Sequence, residues 1–214
     1  MTTLIFVRHG QSQTNIEQRF AGQFDTPLTD EGILQAKLLS DWVADNFGID
    51  KIYSSSLRRA VDTAMVCSKK LGIPITTIEG LREIDGGSWH GKKYTDIMQE
   101  YPEEYHIWKT NIGASSLPQG ESVEEFSKRV VAEVMHISEL HPNQTIMIVA
   151  HAVVIRAVMA VFMMGDISKA AEISWVPNAS VTVANYENAL LNFETVGFDG
   201  YLKEHKSNLP SKLV

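Results

Sequence analysis

Short strand-like runs alternate with helical segments along this chain, and that alternation restricts the fold more than any other feature. Residues 3–7 and 145–150 are apolar enough for strands covered on both faces. Residues 51–54 and 74–78 read as further short strands. Between them, Leu28-Thr29-Asp30-Glu31-Gly32 opens a helix, with Thr29 as N-cap and acids in the first turn. Leu34, Leu38 and Trp42 recur on one face of it, and Gly48 marks its end. Ser56 is placed to cap a helix over 57–71 that Gly72 terminates. Ser122 and Glu125 form a capping box for a helix over 122–139. Residues 180–186 and 190–196 suggest a late hairpin around Glu187, Asn188 and Ala189. Residues 11–28, polar and holding Gly22 and Pro27, read as a long loop, and residues 81–120 as glycines, aromatics and short helical patches. The pattern predicts a three-layer α/β/α sandwich around a mainly parallel central sheet. At 214 residues the chain suits one domain, 1–214, with a small cap-like insertion at about 84–120.

Composition narrows the partners. The formal net charge of −7 argues against general nucleic-acid binding, which draws on many Lys and Arg contacts to phosphates. The most apolar stretch, 152–164, is too short to span a bilayer and contains Arg156, so it reads as a buried helix and gives no membrane partner. No signal-peptide pattern opens the sequence, and the single cysteine, Cys67, suits a reducing compartment. A cytoplasmic location is therefore expected. The oligomeric state stays open, a homodimer included.

In open α/β sheets, sites form beyond the carboxyl ends of the strands. Arg8-His9-Gly10, residues 54–58 and His151 all stand there. Neutral imidazole is a nucleophile near neutral pH, and Gly10 lets backbone approach a ligand. Taken alone, the same tripeptide suits a histidine that ends a strand and bonds locally. Arg58 lies in the first turn of a helix, where a cation opposes the helix dipole, so it suits an anion site. Arg59 then takes the part of a surface arginine. His151 reads as a core histidine or as a donor to a phosphoryl group. Glu83, between apolar and glycine residues, is a candidate general acid, with Asp85 competing for that role. The remaining histidines, His90, His106, His136, His141 and His205, lack metal-ligand spacing and read as surface or packing residues; no metal and no cofactor are expected.

Val7-Arg8-His9-Gly10-Gln11-Ser12-Gln13-Thr14-Asn15 is similar to the opening signature of the histidine phosphatase superfamily, in its branch of cofactor-independent phosphatases and phosphoglycerate-mutase-like enzymes. Asp25-Thr26-Pro27-Leu28-Thr29, 54–64, 81–91, Gly120-Glu121-Ser122, 149–156 and 178–182 resemble its later blocks, in order. The resemblance implies a phosphoglycerate mutase-like fold. It also implies a phosphomonoester hydrolase acting through a phosphohistidine on a small phosphorylated metabolite. His9 would be the nucleophile, Arg8, Arg58 and His151 would hold the phosphoryl oxygens, and Glu83 would be the proton donor. Asn15, Ala21, Gly22, Gln23 and Ala152 would contact substrate.

Gln11, Ala21, His90 and Ala152 depart from the residues common in that family. A positive φ at Ala152 would be strained. Phosphoglycerate mutase-type transfer is the alternative activity, kept alive by Lys92 and Lys93 but opposed by the shortness of residues 91–120. A non-catalytic phospho-ligand binding module is a further alternative. The aromatics Trp89, Tyr94, Tyr101, Tyr105 and Trp108 would either line the substrate or pack a cap.

Overall fold

Parallel strands meet at the centre of a six-stranded sheet in the order β3-β2-β4-β1-β5-β6. The computed structural model describes residues 1–207, so the expected domain over 1–214 runs past the described residues. Strands are β1 Thr2–Arg8, β2 Lys51–Ser55, β3 Ile75–Ile78, β4 Thr145–Ala150, β5 Val181–Glu187 and β6 Leu190–Phe198. Helices are α1 Gln13–Ile16, α2 Asp30–Asn46, α3 Arg58–Leu71, α4 Tyr94–Glu100, α5 Pro102–Thr110, α6 Val123–Leu140 and α7 Ala152–Met164. The pairs β1–β4, β2–β4 and β2–β3 are parallel, while β5 runs antiparallel to both β1 and β6. The sheet is thus mixed and mainly parallel, as the alternating pattern predicts.

Strand period sorts the core into two layers. Leu4 and Phe6 of β1, with Ile146 and Ile148 of β4, face α6, α7 and the segment that holds Trp89, Trp108 and Leu117. Ile5 and Val7, with Met147 and Val149, face α2 and α3. Leu4, Ile5, Phe6 and Val7 are all inaccessible to solvent. Each such side chain contributes roughly 1.5–3 kcal/mol by burial. α7 buries nine consecutive residues, Ala152 through Ala160, so apart from Arg156, whose Nε donates to the Ala170 carbonyl at 2.6 Å, it is apolar all round because it is covered all round.

Several local expectations hold and others shift. Thr29 caps α2, its hydroxyl accepting from the Gly32 N–H. The Ser122–Glu125 capping box is formed at α6. Asn188 and Ala189 both take positive φ, 51° and 61°, and close the β5–β6 hairpin by a two-residue turn. In α2 the core-facing positions are Gly32, Gln35, Ala36, Leu39, Ser40 and Val43, not the 34–38–42 row. Trp42 instead stacks on Tyr201, 4.9 Å between ring centroids. Ser56 does not cap α3. Leu57 is its N-cap, without a side-chain bond, and Asp25 Oδ1 accepts from the Arg58 N–H at 2.8 Å. The loop over 11–28 includes the single turn of α1.

Register brings the strand ends level: Arg8 lies beside Ala150, and Ser54 beside Val149. The residues just beyond each of these strands therefore gather at one edge of the sheet.

Candidate active site

His9 comes directly after β1, its N–H bonded to the Ala150 carbonyl at 3.0 Å. Its Nδ1 lies 2.7 Å from the Gly10 carbonyl oxygen. A carbonyl only accepts, so Nδ1 carries the proton and Nε2 keeps its lone pair. Arg59 Nε–H donates to that Nε2 at 3.2 Å. Burial, then Arg59 and then Arg8, hold the His9 pKa well below the usual imidazole range, against the pull of the Gly10 carbonyl. The ring is neutral at physiological pH.

The backbone around His9 is tied down from three directions. The Asn178 amide donates to the His9 carbonyl at 3.1 Å and to Asn15 Oδ1 at 3.2 Å. Ala179, at φ 52°, donates its N–H to the same His9 carbonyl at 3.1 Å. Gly10 N–H donates to Thr63 Oγ1 of α3 at 3.0 Å. A β-carbon on Gly10 would lie 2.5 Å from the Gly32 carbonyl oxygen. The close approach that Gly10 permits is thus to the first turn of α2 rather than to a ligand.

Two arginines flank the imidazole. Arg8 is buried, donates from Nη1 to the Val176 carbonyl at 2.7 Å, and leaves Nε without a partner. Arg59, 1% exposed, donates from Nη2 to the Gly22 carbonyl at 2.7 Å and from Nη1 to the Phe24 carbonyl at 3.0 Å. Burial brings both guanidinium pKa values down to about 10, so both stay charged at neutral pH. Glu83 is buried close by. Its Oε1 accepts from the Ile84 N–H at 3.0 Å, and its Oε2 accepts from the Val153 N–H, in the first turn of α7, at 3.1 Å. Burial raises the Glu83 pKa more than these two N–H groups, Arg59 and Arg8 lower it. His151, fully buried, sits edge-on to His9 with ring centroids 5.2 Å apart. Its Nε2 is 2.8 Å from Ser55 Oγ, and its Nδ1 has no partner.

All of these groups except His151 border one cavity of about 450 Å³. Arg8, His9, Arg59 and Glu83 are on its wall, with Arg19 and Lys206 as further cations and Tyr94, Trp108 and Trp175 as aromatics. A neutral imidazole whose Nε2 lone pair meets a guanidinium N–H, two buried cations and a buried acid in one cavity can carry out phosphoryl transfer to nitrogen.

The sequence model of the histidine phosphatase superfamily (branch 1) matches residues 4–198. The chain belongs to that superfamily. It is 31% identical over 212 residues to phosphoserine phosphatase 1 of Hydrogenobacter thermophilus, covering 97% of this chain and 100% of the relative. Among solved structures, YhfR of Bacillus stearothermophilus superposes with a TM-score of 0.90 at 28% identity, covering 95% of this chain and 100% of that one. A mycobacterial glucosyl-3-phosphoglycerate phosphatase solved with VO3 gives 0.83 at 26% identity, over 90% and 96% of the two chains.

Against this superfamily background, the arginine expected from α3 needs correction. Arg58 is not on the cavity wall: its side chain is 61% exposed and pairs with Asp62 at 3.4 Å, one turn along α3. Arg59, expected at the surface, is the guanidinium beside His9. The cause is the helix start: with Leu57 as N-cap, residue 59 turns inward and residue 58 outward. Asn15, Ala21, Gly22 and Ala152 line the cavity; Gln23 does not, and its amide instead donates to the Glu83 carbonyl at 3.2 Å. His151 also lies off the wall, behind His9. Ala152 has no positive φ, so the expected strain is absent, and Ala179 bears that conformation instead. Among the aromatics, Trp89 is pure packing, while Tyr94 and Trp108 reach the wall. Burial, the largest influence, pushes the Tyr94 phenol up to about 12 and keeps it a neutral donor.

Asn178, Thr63, Ser55 and Trp175 had no assigned role in the sequence. None of these side chains carries such a signal until the elements on which they sit are placed together.

Proposed function

We propose that the chain hydrolyses a small phosphorylated metabolite through a phosphohistidine on His9. One observation carries this reading: the Gly10 carbonyl holds the proton on Nδ1, so the Nε2 lone pair faces Arg59 in a cavity that also contains Glu83, a buried carboxyl whose pKa burial raises. His9 Nε2 forms the N–P bond as the bond from phosphorus to the leaving oxygen breaks. Glu83 gives that oxygen its proton. Water then attacks phosphorus, the N–P bond breaks, and the Glu83 carboxylate takes the proton from water. The Arg59 N–H that meets the Nε2 lone pair meets a phosphoryl oxygen once phosphorus occupies that lone pair. Arg8, with its unpartnered Nε, is the second cation for those oxygens, and His151, through its unpartnered Nδ1, is a third contact from behind the ring. Asn15, Gly22 and the α7 N-terminus at Ala152 border the bound ester.

Support against the mutase alternative comes from the lysines. Lys92 is bonded to Glu100 at 2.5 Å, and neither Lys92 nor Lys93 lines the cavity. Residues 84–120, which contribute Tyr94 and Trp108 to the wall, act as the cap over a single domain. No helix of the described residues is long and apolar enough to cross a membrane, and a buried lone Cys67 fits a cytoplasmic enzyme.

The test is purified protein with p-nitrophenyl phosphate and with a panel of phosphorylated metabolites headed by phosphoserine, the substrate in the name of the relative aligned end to end. Wild type is expected to turn over and, when acid-quenched, to carry an acid-labile, alkali-stable phosphoryl group. His9→Ala is expected to lose both. Near-wild-type hydrolysis by His9→Ala excludes His9 as nucleophile.

A further inference from the structure

His90 belongs to no part of the mechanism above, yet one of its ring nitrogens holds two catalytic segments together. His90 Nε2 accepts from the Gln23 N–H at 3.1 Å and from the Gly86 N–H at 2.8 Å. An atom that accepts twice carries no proton, so the ring is neutral, with its proton on Nδ1. On one side, Gln23 lies between Gly22 and Phe24, whose carbonyls hold Arg59 Nη2 and Nη1. On the other, Gly86 comes after Glu83-Ile84-Asp85, and the Gln23 amide closes the circuit on the Glu83 carbonyl. The ring is wedged between two residues without side chains. A β-carbon on Gly22, which has φ 46°, would lie 2.7 Å from His90 Nε2, and one on Gly86 would lie 2.9 Å from Cδ2.

We infer that His90 is a positioning residue: its unprotonated Nε2 fixes the 22–24 loop against the segment after Glu83, and so sets the plane in which Arg59 meets the phosphoryl group. The inference rests on the phosphatase reading for what Arg59 does, but not for the geometry. Protonation of Nε2 would set an N–H against two N–H donors and release both. The charged groups facing the ring are Asp85, with Oδ1 3.4 Å from Nε2, and Arg59. Asp85 favours the cation; burial, the largest influence, and Arg59 oppose it, and together they hold the ring below the ordinary imidazole pKa. The connection is therefore intact at neutral pH and is lost as pH falls through that lowered value.

The experiment compares wild type, His90→Gln and His90→Leu in kcat and KM on p-nitrophenyl phosphate from pH 5 to 8, with vanadate-induced melting shifts on the same proteins. A glutamine oxygen can accept both N–H groups and does not titrate. His90→Leu is expected to lose on the order of ten- to a hundredfold in kcat, as a misplaced group does, with a smaller change in KM and a reduced vanadate shift. His90→Gln is expected within a few-fold of wild type at neutral pH and to hold its kcat to lower pH. Wild-type kcat in His90→Leu, or an equal loss in both variants, overturns the inference. If His90→Leu does not fold, His90→Gln decides alone, and an acid limb that matches wild type overturns it. An inert wild type would strike the hydrolase reading instead, leaving the vanadate shifts to judge His90.

Discussion

The carboxyl ends of β1 and β2 both deliver an arginine to the site, by different means. Arg8 is the last residue of β1 and needs only the strand's alternation to reach the cavity. Arg59 reaches it from the first turn of α3, where successive side chains diverge by about 100°. One residue's difference in the helix start therefore exchanges which arginine is inside. Arg8 and Arg59 are 6% and 1% exposed, while Arg58 beside them reaches solvent. A strand end specifies a cavity position tolerantly; a helix start does so only once its cap is known, and at this helix start Asp25 from a distant loop accepts the first N–H.

Arg59→Ala is the most severe way to test that contrast. It removes a cation beside His9 together with the bonds that hold the 22–24 loop, and kcat on aryl phosphates is expected to fall by roughly a hundred- to a thousandfold. Arg59→Lys is expected to recover little, because a single ammonium cannot meet Gly22, Phe24 and the phosphoryl group in one plane. Retention of full activity by Arg59→Ala would return the role to another cation.

Glu83 represents a third kind of placement, a loop carboxyl held by the first turn of α7. Glu83→Gln is expected to lose on the order of a hundredfold on alkyl phosphates and far less on p-nitrophenyl phosphate, whose leaving group needs little protonation. The pH profile has a definite sign. In the proposed mechanism Glu83, its pKa raised by burial, donates its proton at low pH, and that function is lost as pH rises through the raised pKa. In the same mechanism His9, its pKa lowered chiefly by burial, attacks in its neutral form at high pH and fails only as pH falls through its lowered pKa. Alkyl-ester turnover should therefore decline on the alkaline side in wild type but not in Glu83→Gln. Equal losses on both esters would remove Glu83 from the proton-transfer role.

The strands and the order of the motifs were legible because burial on both faces leaves an apolar run with no alternative reading, as at residues 3–7 and 145–150. His9 and Glu83 were legible as cavity residues because one stands at a strand end and the other near glycines, whereas His151, at the end of β4, lies beside His9 but off the wall. The α3 assignment was not, although a signal was present. Arg58, Asp62, Met65 and Lys69 share the outward face of the helix, with Arg58 and Asp62 four apart as an ion pair. Arg59 and Thr63 run beside the apolar row of Ala60, Ala64 and Cys67, which packs under the sheet. The dipole misfit at Arg58 points the other way, and the periodicity is the better guide to which arginine is inside. The His90 connection was illegible for another reason: it depends on two backbone N–H groups, and sequence does not reveal where those point.

Arg58→Ala tests the smallest effect and is the sharpest control for the pair. Its side chain is exposed, its ion pair with Asp62 is long at 3.4 Å, and exposed pairs of this kind contribute little. A cation in the first turn also opposes the dipole of α3, so its loss costs the helix nothing there. The backbone N–H of residue 58, which Asp25 accepts, survives the substitution. Stability is expected to stay within about 0.5 kcal/mol of wild type, measured by urea unfolding, and kcat and KM on aryl phosphates within about twofold. A loss comparable to that of Arg59→Ala would mean that Arg58 swings into the cavity when the ester binds, and the division between the inner and outer arginines would collapse.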